Sequence, residues 1–198
     1  MKSSSWERPL IIFLAIVVVI ETALLFGGIA SVEVEPVPLG MKGYSSNGIS
    51  FYYDDSFSKT NAEAPYTFLS DTVVALKSDE ALYVVENFSQ DQWFVISRET
   101  MDEGSCFGGI ENEQAAFDDV STINNVTFRV AAFEGAAAGN RYESTVYRTQ
   151  KDGMCYEIAT TLHYASDWTD IVQADMDASL NAGRAMLANA VGSFQFTE

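Results

Sequence analysis

The chain has few of the residues that most often carry out chemistry or bind charged polymers. It contains one histidine, two cysteines, four prolines and 11 lysines and arginines, against 28 aspartates and glutamates in 198 residues. The net charge of −17 repels polyanions, and nucleic-acid binders need clustered basic side chains to neutralise phosphates. Nucleic-acid binding is therefore excluded. Two cysteines without a nearby histidine also make a poor zinc site, and we expect no cofactor.

Polar residues are absent from Leu10 to Ile20, and the apolar stretch continues to Ala30. As a helix rising about 1.5 Å per residue, the segment from Leu10 to Ala30 reaches about 31 Å, close to the thickness of a bilayer core. Lys2 and Arg8 precede it. Basic residues are typical both of the start of an export signal and of the cytoplasmic side of a transmembrane helix. The sequence therefore predicts a single-pass membrane protein whose C-terminal domain lies outside the cytoplasm.

Two alternatives remain open for this segment. Its length favours a retained anchor, whereas the small residues Gly28 and Ala30 also suit signal peptidase, which would give a secreted or periplasmic protein starting at Ser31. Glu21 lies within the segment, and an intramembrane carboxylate is by default a functional candidate that could pair with a partner helix. The membrane is thus the first expected partner, through the N-terminal helix.

The chain divides into four parts by composition. Residues 1–9 form a cytoplasmic n-region, residues 10–30 the transmembrane anchor or signal, and residues 31–43 a linker containing Pro36 and Pro38. Residues 44–198 form one extracytoplasmic domain, because neither a repeat nor a low-complexity tract divides them.

Strand signals dominate the first two-thirds of this domain. Turn residues at Asn124-Asn125 and Asp152-Gly153 predict hairpins, and the segment from Glu134 to Asn140 is predicted as a flexible crossover. The predicted strands are Ile49 to Tyr53, Thr72 to Lys77, Leu82 to Asn87, Trp93 to Arg98, Val126 to Val130, Tyr142 to Thr149 and Met154 to Tyr164.

The pattern then changes to helical spacing. Apolar residues recur at intervals of three and four, with Asp167 and Asp170 near the predicted start and Gly192 at the predicted end; the stripe is Val172, Met176, Leu180, Gly183, Leu187 and Val191. Phe194 and Phe196 then alternate as a short closing strand. The predicted fold is α+β: an antiparallel β-sheet meander packed by a long C-terminal helix, preceded by the N-terminal transmembrane or signal helix.

Cys106 and Cys155 are the only cysteines, and export would expose them to oxidants. We expect a structural disulfide between them. Closing a loop of about 50 residues would restrict the unfolded chain by about 4 kcal/mol on the entropic model.

No catalytic motif stands out. His163 is predicted on a strand face with Glu157, Ala159 and Thr161, which we expect to be the wetter face, and no Gly-x-Ser-x-Gly elbow accompanies it. Acidic groups invite a calcium or glycosidase interpretation but lack the required ligand spacing; they are Asp54-Asp55, Asp118-Asp119 and the set Asp167, Asp170, Asp175 and Asp177.

Two segments carry a family resemblance. The string from Met186 to Phe196 resembles the helix-to-strand ending of PsbP-like domains, and the string from Asn47 to Tyr53 is similar to their opening strand, although Asp54 stands where those domains commonly have proline. The chain also resembles uncharacterised, singly anchored bacterial surface proteins with a cysteine pair. The resemblance implies a non-enzymatic extracytoplasmic module and assigns no functional residue.

From these observations we expect an acidic accessory or binding module, tethered or secreted, with a protein or envelope component as a second partner and without enzymatic activity. Two alternatives remain: an extracytoplasmic hydrolase that uses paired carboxylates, and a structural envelope protein that self-associates.

Overall fold

A computed structural model describes residues 37–62, 64–78, 88–110, 115–166 and 173–197. The predicted n-region, the membrane segment with Glu21 and linker residues 31–36 lie outside these residues, as do the strand predicted from Leu82 and the residues Asp167, Asp170 and Val172. Among the helices in the described ranges, none is both long and apolar enough to cross a membrane.

The described residues form ten strands and two helices. The elements, in chain order, are β1 (Met41–Ser46), β2 (Ile49–Asp54), β3 (Ser58–Lys59), β4 (Asp71–Ser78), β5 (Phe88–Thr100), α1 (Glu103–Cys106), β6 (Asp119–Ile123), β7 (Val126–Ala137), β8 (Asn140–Lys151), β9 (Met154–Ser166), α2 (Gln173–Gly192) and β10 (Gln195–Phe196).

The strands form two antiparallel sheets. The larger has the order β3-β4-β5-β9-β8-β7-β6, and the smaller has the order β1-β2-β10. The prediction of one continuous meander is wrong, because β5 pairs with β9 rather than with the next strand along the chain. Two shorter meanders, β3 to β5 and β6 to β9, therefore meet along the β5–β9 ladder. The α+β class is as predicted, and β9 lies at the centre of the larger sheet.

Tight turns fix the register of the hairpins. Asn124 and Asn125 adopt φ of 46° and 65°, and Asp152 and Gly153 adopt 54° and 75°, which confirms both predicted turns. The expected flexible crossover before Asn140 is wrong: β7 and β8 continue until only Ala138 and Gly139 separate them, with φ of 51° and 85°. A run of small residues, a composition typical of loops, here forms the end of β7 and the turn that follows it.

Helix α2 covers one face of the large sheet, as its periodicity predicts. The helix ends at Gly192, and the described part of the predicted stripe, from Met176 to Val191, is buried. It packs against Phe94, Ile96, Ile158 and Leu162 of the sheet, in the same core as Phe51 and Phe128. We call this side of the seven-stranded sheet the helix face.

The three-stranded sheet closes the same core. Strand β2 confirms the predicted opening strand and places Phe51 against Phe94, with ring centroids 4.9 Å apart. The closing strand β10 pairs with β2, and Phe194 beside it contacts Phe128 at 5.7 Å. Strand β1 begins at Met41, inside the segment predicted as linker. The two ends of the domain are thus joined through one small sheet.

Candidate functional site

The opposite face of the seven-stranded sheet is covered by irregular chain. Residues 64–70, which we call the strap, lie over the face that carries His163 and Glu157. We call this side of the seven-stranded sheet the strap face. The expectation that this face is the wetter one is wrong for most of its length, because Glu157, Ala159 and Thr161 are all buried. A second apolar cluster fills the space below the cover, with Val95 and Val146 from the sheet against Phe68 of the strap and Phe117.

A disulfide bond joins Cys106 of α1 to Cys155 of β9, as predicted, with a Cα–Cα distance of 5.6 Å. Both cysteines are fully buried, and Leu69 of the strap belongs to the same apolar cluster. Asp102 caps α1, and hydrogen bonds from the backbone and hydroxyl of Ser105 hold the pKa of its carboxyl below the usual value. The bridge therefore pins a short loop helix and the end of the strap to the centre of the sheet.

A buried ion pair lies beside the disulfide. Arg148 on β8 and Glu157 on β9 are register partners, with exposures of only 6% and 0%, and Nη2 of the arginine lies 2.8 Å from Oε2 of the glutamate. The other oxygen of Glu157 accepts hydrogen bonds from the backbone N–H of Phe68, at 3.0 Å, and from the Ser97 hydroxyl, at 3.3 Å. Arg148 also donates to the carbonyl of Cys106 at 3.1 Å. Each nitrogen of the guanidinium and each oxygen of the carboxylate thus has a partner, which helps a buried pair to offset its desolvation.

An open pocket of about 510 Å³ lies further along the strap face. Three strands contribute its polar and aromatic wall, and the strap contributes an apolar wall of Ala64 and Pro65; the strand residues are Asp91, Trp93, Tyr142 and His163. A second cavity of about 500 Å³ shares Ala64 and is lined by Thr67, whose buried hydroxyl oxygen has no partner among the described residues. The strap therefore borders both cavities.

His163 is held on both ring nitrogens. Nδ1 lies 3.4 Å from Oδ1 of Asp91, Nε2 lies 2.9 Å from Oδ1 of Asn140, and the ring stacks on Tyr142 with centroids 4.5 Å apart. Asp91 also accepts a hydrogen bond from the indole N–H of Trp93 at 3.1 Å and pairs with Lys77 at 3.5 Å. The ammonium of Lys77 lies 5.2 Å from the centroid of the Trp93 ring. The polar groups of the pocket are thus pre-organised by one another.

The structure separates the acidic groups singled out in the sequence. Asp54 accepts from the backbone N–H of Ser56 in a turn, Asp118 and Asp119 are exposed, and Asp177 accepts from Gln173 on the outer side of α2. Within the described ranges, no three histidine, cysteine, aspartate or glutamate side chains are placed to hold a metal ion. The calcium interpretation gains no support from the described carboxylates.

Sequence reasoning missed most of the pocket and the whole ion pair. Asp91, Trp93 and Tyr142 meet His163 only because β5 and β8 both flank β9, and that strand order has no local signal. The proximity of Arg148 and Glu157 could have been found, because the Asp152-Gly153 turn fixes the hairpin register that places them opposite each other.

Comparison with known proteins gives only distant similarities. No family model and no curated protein matches the chain. Among solved structures, the chain is similar to a protein of Bacteroides thetaiotaomicron, with a TM-score of 0.41, 12% identity, and coverage of 81% of this chain and 50% of that one. It is also similar to LpqN of Mycobacterium tuberculosis, described as involved in cell envelope biogenesis, with a TM-score of 0.45, 12% identity, and coverage of 80% and 91%.

The similarity spans half the length of the Bacteroides protein. Scores this low carry no functional argument, and neither neighbour confirms the resemblance to PsbP-like domains.

Proposed function

We propose that this protein is an extracytoplasmic accessory module without enzymatic activity, tethered by its predicted N-terminal helix, which binds an envelope component in the pocket beside His163. The observation that carries the proposal is the pocket itself, in which groups from three strands and the strap converge on one open space. Pre-formed pockets with an apolar wall and a few oriented polar groups are typical of small-ligand sites.

The disulfide supports the extracytoplasmic location. Such bonds form and persist in secreted and periplasmic proteins and are rare in the cytosol of mesophiles. The buried bond between Cys106 and Cys155 contacts both the sheet and the strap, which is the arrangement of a structural rather than a catalytic bridge.

The charges of the pocket favour an uncharged ligand. The carboxylate of Asp91 already faces Lys77 and His163, so a cationic ligand would have to displace an existing partner. An anionic ligand would approach against the net charge of −17. The proposed ligand class is therefore a neutral, hydroxyl-bearing molecule of about the size of a sugar ring, with its apolar side against Pro65 and Trp93.

The contacts of His163 support a binding rather than a catalytic role. In a serine hydrolase, the nitrogen opposite the aspartate takes a proton from a nucleophilic hydroxyl. Here that nitrogen lies 2.9 Å from an oxygen of Asn140, which is not a nucleophile. The imidazole is thus engaged on the side that a triad would need free.

The proposal is tested by following the Trp93 indole N–H signal by NMR in the full-length protein in detergent micelles, after its assignment with Trp93→Phe. Methyl glucoside, tetramethylammonium and acetate serve as the neutral, cationic and anionic probes at equal concentrations. We expect a saturable shift with the neutral probe and smaller shifts with both ions, because the cation would have to displace a partner of Asp91 and the anion would approach against the net charge.

A matched pair of variants locates the response. Ala64→Phe fills the pocket wall and should abolish the shift, whereas Ala132→Phe adds the same ring at an exposed position of β7 and should preserve it. Equal responses in the two variants, or no saturable response to methyl glucoside, would overturn the proposal.

A further inference from the structure

The strap joins the pocket to the disulfide by two independent routes. At one end, Ala64 and Pro65 form the apolar wall of the pocket. At the other end, Leu69 is buried in the cluster that contains Cys106 and Cys155. Only four residues therefore lie between Ala64, at the start of the pocket wall, and Leu69, which packs around the sulfur atoms.

The second route is polar. The carbonyl of Cys106 accepts from Arg148, Arg148 pairs with Glu157, and Glu157 accepts the backbone N–H of Phe68. Each link is between 2.8 and 3.1 Å long. The hydrogen bond from the Phe68 N–H is partly buried, and loss of its acceptor costs free energy, so this chain of contacts helps to fix the position of Phe68.

The strap also contains a residue in an unfavourable conformation. Tyr66 has a φ of 58°, a left-handed backbone value that residues other than glycine and asparagine rarely adopt. Its ring packs against Phe133 at 5.0 Å and Tyr142 at 5.8 Å, and its hydroxyl lies where a side chain on Gly135 would need to be. Such a conformation persists only where the surroundings hold it in place.

Helix α1 depends on the bridge for its own position. It spans only Glu103–Cys106, and a helix of one turn has no stability by itself. Without the bond to Cys155, the Cys106 carbonyl would be held in front of Arg148 only by its hydrogen bond and by the nearby contact from Gln150 to the Met101 carbonyl, and the cluster around Leu69 would lose its centre.

We propose that the disulfide holds the strap on the sheet and thereby assembles the pocket, so that the chain becomes able to bind only after oxidation. The inference rests on the pocket being the binding site. In the step itself, the two thiols form one S–S bond and lose two protons and two electrons. A disulfide-bearing oxidant accepts them, and its own S–S bond is reduced to two thiols. Export to an oxidising compartment would then switch binding on.

Amide hydrogen exchange of the full-length protein tests the inference without any ligand. The oxidised protein is compared with Cys106→Ala/Cys155→Ala under conditions where circular dichroism shows both folded. We expect the amides of Phe68 and Ser70 to exchange at least about tenfold faster in the variant, because local opening is governed by local contacts. The amide of Thr197, bonded to the carbonyl of Gly48 at the edge of the small sheet, should change by less than about twofold.

Two further variants keep the result interpretable. Met186→Ala removes a buried side chain on the helix face with the bridge intact, and we expect strap exchange to stay within about twofold of the wild type. If the double alanine variant does not fold, Leu69→Ala in the oxidised protein cuts the apolar route, and strap exchange should still rise. Unchanged strap exchange in the bridge-free protein, or an equal rise in Met186→Ala, would overturn the proposal.

The Trp93 response to methyl glucoside separates the two proposals. If strap exchange rises in the bridge-free protein and the oxidised protein shifts with the probe, the bridge-free protein should lose that shift. If strap exchange rises but even the oxidised protein shows no shift, the proposed function fails while the mechanical link between bridge and strap stands. A full shift in the bridge-free protein would overturn the oxidation requirement.

Discussion

The two faces of the seven-stranded sheet are covered in different ways. On the helix face, α2 and the small sheet pack apolar side chains such as Phe94 and Ile158 into one continuous core. On the strap face, a disulfide, the buried Arg148–Glu157 pair and a smaller apolar cluster hold irregular chain in place. Both open cavities described above border the strap.

The difference follows from backbone hydrogen bonding. A helix satisfies its own interior N–H and C=O groups, so the sheet beneath it can be apolar. Irregular segments bring unsatisfied backbone groups, and the sheet must supply partners for them. Two side chains of the sheet supply such partners here. Glu157 accepts a hydrogen bond from the N–H of Phe68, and Arg148 donates one to the carbonyl of Cys106. Irregular segments also pack less evenly on a sheet than a helix does, and pockets arise in the gaps that they leave.

Breaking the ion pair should have the largest effect. Arg148→Met leaves the carboxylate of Glu157 buried without its cation, and we expect a loss of about 3–5 kcal/mol in the free energy of unfolding, measured by urea denaturation. The double variant Arg148→Met/Glu157→Leu should recover only part of this loss, because the Phe68 N–H remains without an acceptor. Full recovery to wild-type stability would contradict the role given to Glu157 in holding the strap.

The helix face should be sensitive to volume instead. A Cβ at Gly183 would meet the amide of Gln90 at less than van der Waals contact and would lie 3.0 Å from Leu162. We expect Gly183→Ala to cost about 1–3 kcal/mol by urea denaturation, since overpacking forces the helix from the sheet. The control Gly192→Ala enters open space and should be neutral or slightly stabilising. Equal effects of the two substitutions would mean that helix propensity, not packing, decides.

How much the sequence predicts differs between the two faces in the same way. Period-3.6 spacing correctly identified α2 and its buried residues from Met176 to Val191, and the asparagine and Asp-Gly pairs correctly located two hairpins. These are local signals, written within a few residues of the feature they predict. The disulfide was also predictable, because only two cysteines were present to pair.

The strap face was not predictable in this way. Irregular segments have no periodicity, so the sequence gives no sign that they cover a sheet. It therefore indicates a solvent-exposed face for His163 and Glu157, although loops bury most of that face. The strap comes from before β4 and α1 from after β5, and both return to the same surface. The partner of His163, Asp91, follows from the β5–β9 pairing, which is a long-range contact. The pocket depends on that pairing and was therefore missed.

Two buried glutamines on the helix face, Gln90 and Gln92, should have smaller effects on the free energy of unfolding, and these effects should have opposite signs. Neither polar atom of the Gln92 amide has a partner among the described residues, whereas Gln90 pairs with the Ser179 hydroxyl at 2.7 Å. Gln92→Met should therefore raise the free energy of unfolding by about 1 kcal/mol, because an unsatisfied amide is removed. Gln90→Met should lower it by about 1 kcal/mol, since Ser179 loses its partner. Urea denaturation of the two variants tests this, because their free energies of unfolding should change in opposite directions. Destabilisation by both substitutions would show that the Gln92 amide has hydrogen-bond partners.

The smallest effect is expected from a second arginine–glutamate pair, which isolates the role of burial. Arg184 on α2 contacts Glu143 on β8 through two hydrogen bonds of 2.7 and 2.8 Å, much as Arg148 contacts Glu157. The hydrogen bond with Glu143 raises the pKa of Arg184, but the arginine side chain is 46% exposed.

Arg184→Ala should therefore cost less than about 1 kcal/mol, and the cost should shrink in high salt, because water and ions screen an exposed pair. The Arg148 effect should persist in the same salt, since its pair is shielded from solvent. If the two arginines proved equally important by urea denaturation, pairing geometry rather than burial would determine their contribution, and the contrast between the two faces would lose its electrostatic basis.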